Sequence, residues 1–214
     1  AANAMAIPLL GEGECMKVGG GGPADGGAIG VIGPGTGLGV SGLATGAGGP
    51  AVLEGEDGHV PMPAVDEREA AVVAWVRRRY GHASAERFLS GPGLVNIYTA
   101  LRELAGLPAA SLAPSQVTDA NVGASDACAR EATEMFCAML GTVAGNLALT
   151  LGARVGVYIA GGIVPKLGAA FTSSRFRERF EAKGRLAPYV AAIPTFVIMR
   201  PLPALLGAAA LLRR

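Results

Sequence analysis

Four glycines in seven residues, Gly33-Pro34-Gly35-Thr36-Gly37-Leu38-Gly39, stand between two apolar runs at residues 28–32 and 40–44. Runs of that length and character are strands, and a glycine-rich break that short between them folds the chain back on itself, so residues 28–44 are expected to form a hairpin around a backbone-lined loop. Glycines let backbone amides approach an anion, and Thr36 adds a hydroxyl donor. The stretch is neither a Walker A loop nor a dinucleotide fingerprint, because no GK[ST] follows and a strand rather than a helix comes next. Two readings fit it: a phosphate cradle and an ordinary hairpin turn.

The rest of the chain alternates strands with helices, the signature of an α/β sheet. Residues 1–10 read as the tail of a helix, and residues 19–27 as a glycine-rich connector. Asp66 opens a helix with Glu67 and Glu69 in its first turn, running towards Tyr80. A second helix is expected at about 83–89, a third from Leu94 to about Leu104, and a turn at 118–122. Ser125 is placed to cap a long helix from Asp126 to about Leu151. Residues 155–160 read as a buried strand stopped by Gly161–Gly162, residues 193–199 as another strand, and residues 202–214 as a last helix.

At 214 residues the chain can bury a sizeable core, and a hydrophobic fraction of 50% against 16% charged excludes disorder. With 18 Lys and Arg against 17 Asp and Glu there is no basic excess for nucleic acid. The basic runs at Arg77–Arg78–Arg79 and at residues 175–185 read as solvated helix faces. Mean hydropathy is +0.40, and residues 132–152 are the one stretch that invites a membrane reading. Glu134, Asn146 and the lack of aromatic or basic anchors argue instead for a core helix, in which the Gly141/Gly145 spacing means close helix packing. Cys15, Cys128 and Cys137 show no metal spacing and there are two histidines, His59 and His82, so no zinc site is expected. The thiols read as reduced, in a cytoplasmic protein.

Four more places carry polar groups beside glycines. Residues 54–59 (EGEDGH) make an open acidic and imidazole loop, suited to a hydroxyl-rich ligand or to plain solvation. Glu86, ahead of the 90–93 turn (SGPG), points into a cleft or pairs at the surface. Gly161 and Gly162 end a buried strand where ligands of α/β folds sit, or simply turn the chain. Gly207 in the last helix allows close approach of a ligand or of another helix.

Taken in order, GPGTGLGVS (33–41), GEDGHV (55–60), SAERFLSGPG (84–93), NLAL (146–149), AGGIVPK (160–166) and LLGAA (205–209) resemble the bacterial glucokinase family, over essentially the whole chain from Met5-Ala6-Ile7-Pro8 onward. The resemblance implies an actin-like (RNase H-like) ATPase fold, with residues 1–214 forming mainly the large C-terminal domain and the N-terminal small domain largely missing. It implies transfer of the γ-phosphoryl group of ATP to D-glucose with Mg2+, no nucleic-acid or membrane partner, and a homodimer among the assemblies open to the chain. By position it makes Gly33, Gly35, Thr36 and Gly37 the second phosphate loop, Glu56, His59 and Glu86 sugar ligands, and Gly161, Gly162 and Gly207 nucleotide-binding. The family's first phosphate loop (Asp-x-Gly-Gly-Thr) and the Asn-Asp pair with the catalytic base do not occur in residues 1–214. They are expected upstream of Ala1, so no catalytic residue is assigned here and turnover by this chain alone is not expected. The alternatives are a catalytically dead sugar-binding or regulatory module of the same fold, and another actin-like member such as an acetate or glycerol kinase, against which the Glu56, His59 and Glu86 set argues.

Overall fold

Along strand β2 (Gly27–Pro34) side chains alternate between two cores: Ile29 and Val31 enter a small cluster with Ala4, Met5 and Ile198, while Ile32 enters the main one. This period of two places β2 in the middle of a sheet buried on both faces. A computed structural model describes residues 1–45 and 49–212. β2 pairs antiparallel with β3 (Leu38–Thr45), which pairs antiparallel with β4 (Ala51–Gly55). On its other side β2 runs parallel to β5 (Gly156–Ile159), and β5 parallel to β6 (Thr195–Ile198), with β1 (Cys15–Val18) antiparallel at the far edge. The order β1-β6-β5-β2-β3-β4, a three-strand meander continued by two parallel strands, is that of an RNase H-like domain.

The helices are α1 (Ala2–Ala6), α2 (Glu67–Tyr80), α3 (Gly91–Leu104), α4 (Pro114–Val117), α5 (Ala120–Ser125), α6 (Ala127–Leu151), α7 (Val164–Leu167), α8 (Ala169–Thr172), α9 (Phe176–Glu181), α10 (Ala187–Ala191) and α11 (Pro203–Leu211). The helix on which the main core is built is α6. Asp126 caps it, accepting from the amides of Cys128 at 2.9 Å and Ala129 at 3.3 Å, and Gly152 ends it in the left-handed region at φ 58°. The cap is therefore Asp126, not Ser125, whose hydroxyl donates back to the Val122 carbonyl. α6 is long and apolar enough to cross a membrane, yet 67% of its most apolar stretch is buried inside the protein, as expected of a core helix.

Small residues let α6 sit close to its neighbours. Gly30 and Gly42 face each other across the β2–β3 ladder; a Cβ at Gly30 would lie 3.2 Å from Leu147, and one at Gly42 2.8 Å from Leu151. On the opposite side of the helix Gly141 and Gly145 meet the carbonyls of Phe176 and Phe180, at 2.1 and 2.5 Å from where a Cβ would stand. The expected helix packing through Gly141 and Gly145 is thus what α9 uses.

Several sequence expectations are corrected. β1 and β4 were not anticipated: β1 is four residues beside a glycine connector, and β4 is almost wholly exposed, so neither shows an alternating pattern. The helix expected at 83–89 is a single 3-10 turn, Ala85–Arg87, because the segment bonds to its neighbour instead: the Ala85 amide donates to the Val60 carbonyl and the Ala83 carbonyl accepts from the Met62 amide. The turn expected at 118–122 lies between and within the short helices α4 and α5. The last helix ends at Leu211; Arg213 and Arg214 lie outside the described residues.

The basic run at 175–185 is not a solvated face throughout. Arg179, with its side chain 4% exposed, forms a two-pronged pair with Glu69, 3% exposed, at 2.7 and 3.1 Å, and also donates to Thr142 Oγ1 at 2.8 Å. Glu69 takes a further bond from the Val65 amide at 3.0 Å, so both charges are fully partnered. Arg77, Arg78 and Arg79 are exposed, as expected.

Two predictions test this packing. Glu69→Leu strands the Arg179 cation and is expected to cost about 3–5 kcal/mol of stability in urea unfolding, whereas Glu69→Leu with Arg179→Met costs less than the single change; a double variant at least as unstable as Glu69→Leu would contradict this. Lys183, half-buried just beyond α9, donates to the Thr142 carbonyl at 3.0 Å and Asn146 Oδ1 at 2.8 Å, and burial, assisted by the Arg179 cation, pulls its ammonium down to about 8 from 10.5. Between those two values the unfolded chain holds a proton the folded chain has released, so folding is favoured as pH rises through the window and the gain is absent below about 8. Urea unfolding across the window is expected to show this rise in the wild-type chain and a flatter profile in Lys183→Met.

Candidate functional site

The β2–β3 hairpin closes with the pairs Gly33–Gly39 and Pro34–Leu38, leaving Gly35, Thr36 and Gly37 as the loop. The Gly35 amide bonds to the Gly37 carbonyl at 2.8 Å, and Thr36 stands exposed at the tip. Around Gly35 and Gly39 the space where a side chain would go is empty. The loop is therefore open on one side, where backbone and a threonine hydroxyl face solvent, and packed on the other.

Three segments pack against it. The first is the 56–59 turn, Glu56 followed by the 3-10 turn Asp57–His59. A Cβ on buried Gly58 would lie 2.4 Å from the Leu38 carbonyl oxygen, so only glycine lets this turn seat on β3. Glu56 and His59 are exposed, at 90% and 62% of their side-chain surface, and their Oε2 and Nε2 atoms are 4.0 Å apart. The second is Glu86, whose Oε2 accepts the Leu38 amide at 2.9 Å. A Cβ at Gly37 would come within 2.5 Å of that oxygen, so a side chain here would push the Glu86 carboxylate aside. The third is Gly161, at φ 86°, where a Cβ would stand 2.2 Å from the Pro34 carbonyl oxygen; Gly162, next to it, faces open space.

The two segments carrying Glu56, His59 and Glu86 are also tied to each other. His82 Nε2 lies 2.8 Å from the His59 carbonyl oxygen, the Ala85 amide bonds to Val60 at 2.9 Å, and Pro61 bridges Ser84. Beyond Glu86, Ser90 caps α3, accepting from the Gly93 amide at 3.0 Å while donating to the Glu86 carbonyl at 2.7 Å; the Gly91 amide then reaches the Gly35 carbonyl at 2.8 Å. So of the residues expected at the site, Gly33, Gly35, Thr36, Gly37, Glu56, His59, Glu86, Gly161 and Gly162 all come together at one end of β2, β3 and β5. Glu86 pairs with neither Arg87 nor the surface.

Gly207 is elsewhere in character. It lies in α11 with a hypothetical Cβ 1.7 Å from the Ala2 carbonyl oxygen, so its contact is the crossing of α11 over α1. Near that crossing sits Asn3, which was not singled out in the sequence. Its Oδ1 is buried without a hydrogen-bond partner, and its Nδ2 is 3.8 Å from where a Cβ of Gly33 would be. A lone Asn in an alanine-rich helix carries no pattern by which to find it.

A cavity of about 400 Å³ opens beside Glu56, lined by Ala1, Val40, Glu54 and Gly55, and another of about 380 Å³ lies across Val40 between Asp57 and α6. A further cavity, about 410 Å³, lies between α5, α6 and the Ala170–Ser174 segment and touches none of the expected site residues. Among the described residues no group of three or more His, Cys, Asp or Glu is arranged to hold a metal ion.

The glycine requirement separates neighbours that look equivalent in sequence. Gly161→Ala forces a side chain into the left-handed region and against Pro34, and is expected to cost about 1–3 kcal/mol. Gly162→Ala is expected to stay within about 0.5 kcal/mol. Equal thermal shifts for the two would show that the Gly161–Pro34 contact is not as close as described.

Known proteins resemble this chain over nearly its whole length. The family model for glucokinase matches residues 1–214. The chain is 52% identical over 206 residues to a glucokinase of Aromatoleum aromaticum, covering 96% of this chain and 62% of that protein, and 51% identical over 209 residues to one of Paramagnetospirillum magneticum, covering 97% and 65%. The crystal structure of a glucokinase from an Antarctic psychrotroph superimposes with a TM-score of 0.92 at 34% identity, over 99% of this chain and 66% of that one. The chain thus spans a little under two thirds of the length of these relatives. On the matched strand order, the glycine turn and the family model together, the chain belongs to the glucokinase family and has its actin-like ATPase fold.

Proposed function

We propose that residues 1–214 form the large, sugar- and nucleotide-binding domain of an ATP-dependent hexose kinase that phosphorylates D-glucose at its 6-hydroxyl. The observation that carries this is the meeting of two kinds of group on one residue, Leu38: an open glycine turn suited to phosphate, and the acidic and imidazole segments suited to hydroxyls. In this reading Glu56, His59 and Glu86 accept and donate hydrogen bonds to sugar hydroxyls. Such a site discriminates sharply, because a sugar lacking the matching hydroxyl leaves a polar group unpaired. The amides and hydroxyl of Gly35, Thr36 and Gly37 face the phosphates, where fixed dipoles stabilise charge without reorganising. Gly161 and Gly162 flank the adenosine; Gly207 supports the same region by seating α11 on α1.

Mg2+ enters this reading as part of the nucleotide substrate. Among the described residues no three His, Cys, Asp or Glu are grouped to hold it, and such an ion commonly binds through phosphate oxygens and water. No general base is assigned among these residues; the family resemblance puts it upstream of Ala1. That resemblance also supports a cytoplasmic enzyme and a homodimer.

The test is glucose 6-phosphate formation, in a coupled assay with ATP and magnesium, by a protein that carries residues 1–214 together with the family's first phosphate loop and Asn-Asp pair. Turnover is expected, with Glu56→Gln lowering kcat/KM for glucose about tenfold to a hundredfold, the cost of one unpaired hydroxyl partner. Glucose binding without any ATP-dependent phosphorylation would replace this reading with that of a sugar-binding module.

A further inference from the structure

Glu86 is already engaged before any ligand is considered. Its Oε2 holds the Leu38 amide at 2.9 Å, while Oε1 has no partner among the described residues. The same short segment holds the other end of the loop, through the Gly91 amide on the Gly35 carbonyl at 2.8 Å, and Ser90 locks the segment by its bond to the Glu86 carbonyl at 2.7 Å. Both ends of the three-residue loop Gly35–Thr36–Gly37 are thus pinned from the strip that carries Glu86. Within the loop one backbone bond, from the Gly35 amide to the Gly37 carbonyl, holds the turn, while Thr36 at the tip is exposed, and the flanking glycines add no side chain to restrain it.

We propose that Glu86 is a positioning residue for the phosphate-facing turn: one carboxylate oxygen sets the conformation of the turn through Leu38, while the other stays free for a sugar hydroxyl. This rests on the functional reading above and adds that one side chain joins the sugar and nucleotide sites. A carboxylate to backbone amide bond is charge-assisted and so among the stronger hydrogen bonds. Its loss would leave the Leu38 amide unpaired and the loop free to spread over conformations that do not bind phosphate. The carboxylate also has an opposing effect, since its negative charge near the turn disfavours an anion.

Two substitutions separate these effects. Glu86→Gln removes the charge but keeps an acceptor for the Leu38 amide; Glu86→Leu removes both. Affinity for a non-hydrolysable ATP analogue, measured by calorimetry on the intact protein without sugar, is expected to be unchanged or higher in Glu86→Gln. In Glu86→Leu it is expected to fall about tenfold, the lower end of what losing such a bond costs. Glucose affinity is expected to fall in both. A Glu86→Leu protein that stays folded and binds the analogue as well as Glu86→Gln does would overturn the proposal.

Gly37→Ala supplies a second route if Glu86→Leu does not fold. Its methyl group would stand 2.5 Å from Glu86 Oε2 and displace the carboxylate. A substitution in the nucleotide turn is then expected to weaken glucose binding about tenfold; unchanged glucose affinity would count against the proposal. A wild-type protein that binds neither glucose nor the analogue would instead remove the kinase reading itself. One that binds both, with Glu86→Leu indistinguishable from Glu86→Gln, would remove only this inference.

Discussion

Leu38 is held by both faces of its backbone. Its amide is taken by Glu86, its carbonyl is covered by the 56–59 turn through Gly58, and its strand partner Pro34 is covered by Gly161. At Gly58 and Gly161 the approach is to backbone and closer than a β-carbon allows, so these two glycines are fixed by contact rather than by flexibility, while at Gly37 a β-carbon would meet the movable carboxylate of Glu86. Apart from Gly207, the residues nominated for chemistry are gathered around this one point at the end of β2 and β3. A loop of glycines would otherwise be a poor place for a binding site, because it has little of its own to hold a shape.

The same device recurs in the scaffold at larger scale. Gly30 and Gly42 let α6 lie against the sheet, and Gly141 and Gly145 let α9 lie against α6, so a single long helix is clasped between strands and a second helix layer. Close packing of this kind forgoes side-chain contacts at the glycines and recovers them from the large groups around, among them Leu147, Phe176 and Phe180. Into this apolar setting the fold admits one bidentate ion pair, Glu69 with Arg179, joining α2 to α9 over Thr142 of α6. Such a pair is weak support for stability in itself, but once present its partners depend on one another, because either charge alone would be buried without compensation.

How much was legible in the sequence varied with the range of the cause. The β2–β3 hairpin, α2 and the core character of α6 follow from local pattern and were read correctly. Caps and short elements fared worse. Asp126 rather than Ser125 caps α6, and the 83–89 segment is one 3-10 turn because its Ala85 amide and Ala83 carbonyl are bonded to Val60 and Met62 of a distant segment. Arg179 looked like one more surface cation in a basic run. Its burial depends on Glu69, 110 positions away, which no window on the sequence connects with it. At the site, the residue types were found from the motifs, but the role of Glu86 towards Leu38 and that of Gly207 towards Ala2 lay in contacts between distant segments.

The amino-acid sequence by itself determined the class of the fold, the glycine turn between two strands, the family and the identity of the polar residues near it, because strand and helix periods and turn chemistry are local, and the order of the motifs from residue 33 to 209 is read along the chain without knowing which of them meet. Only the tertiary structure decided which glycines are obligatory, which charges are buried and which side chain reaches from the 84–93 segment to the glycine turn. Those depend on distances between segments far apart in the chain, and a difference of an ångström in such a distance separates a glycine that any residue could replace from one that none can.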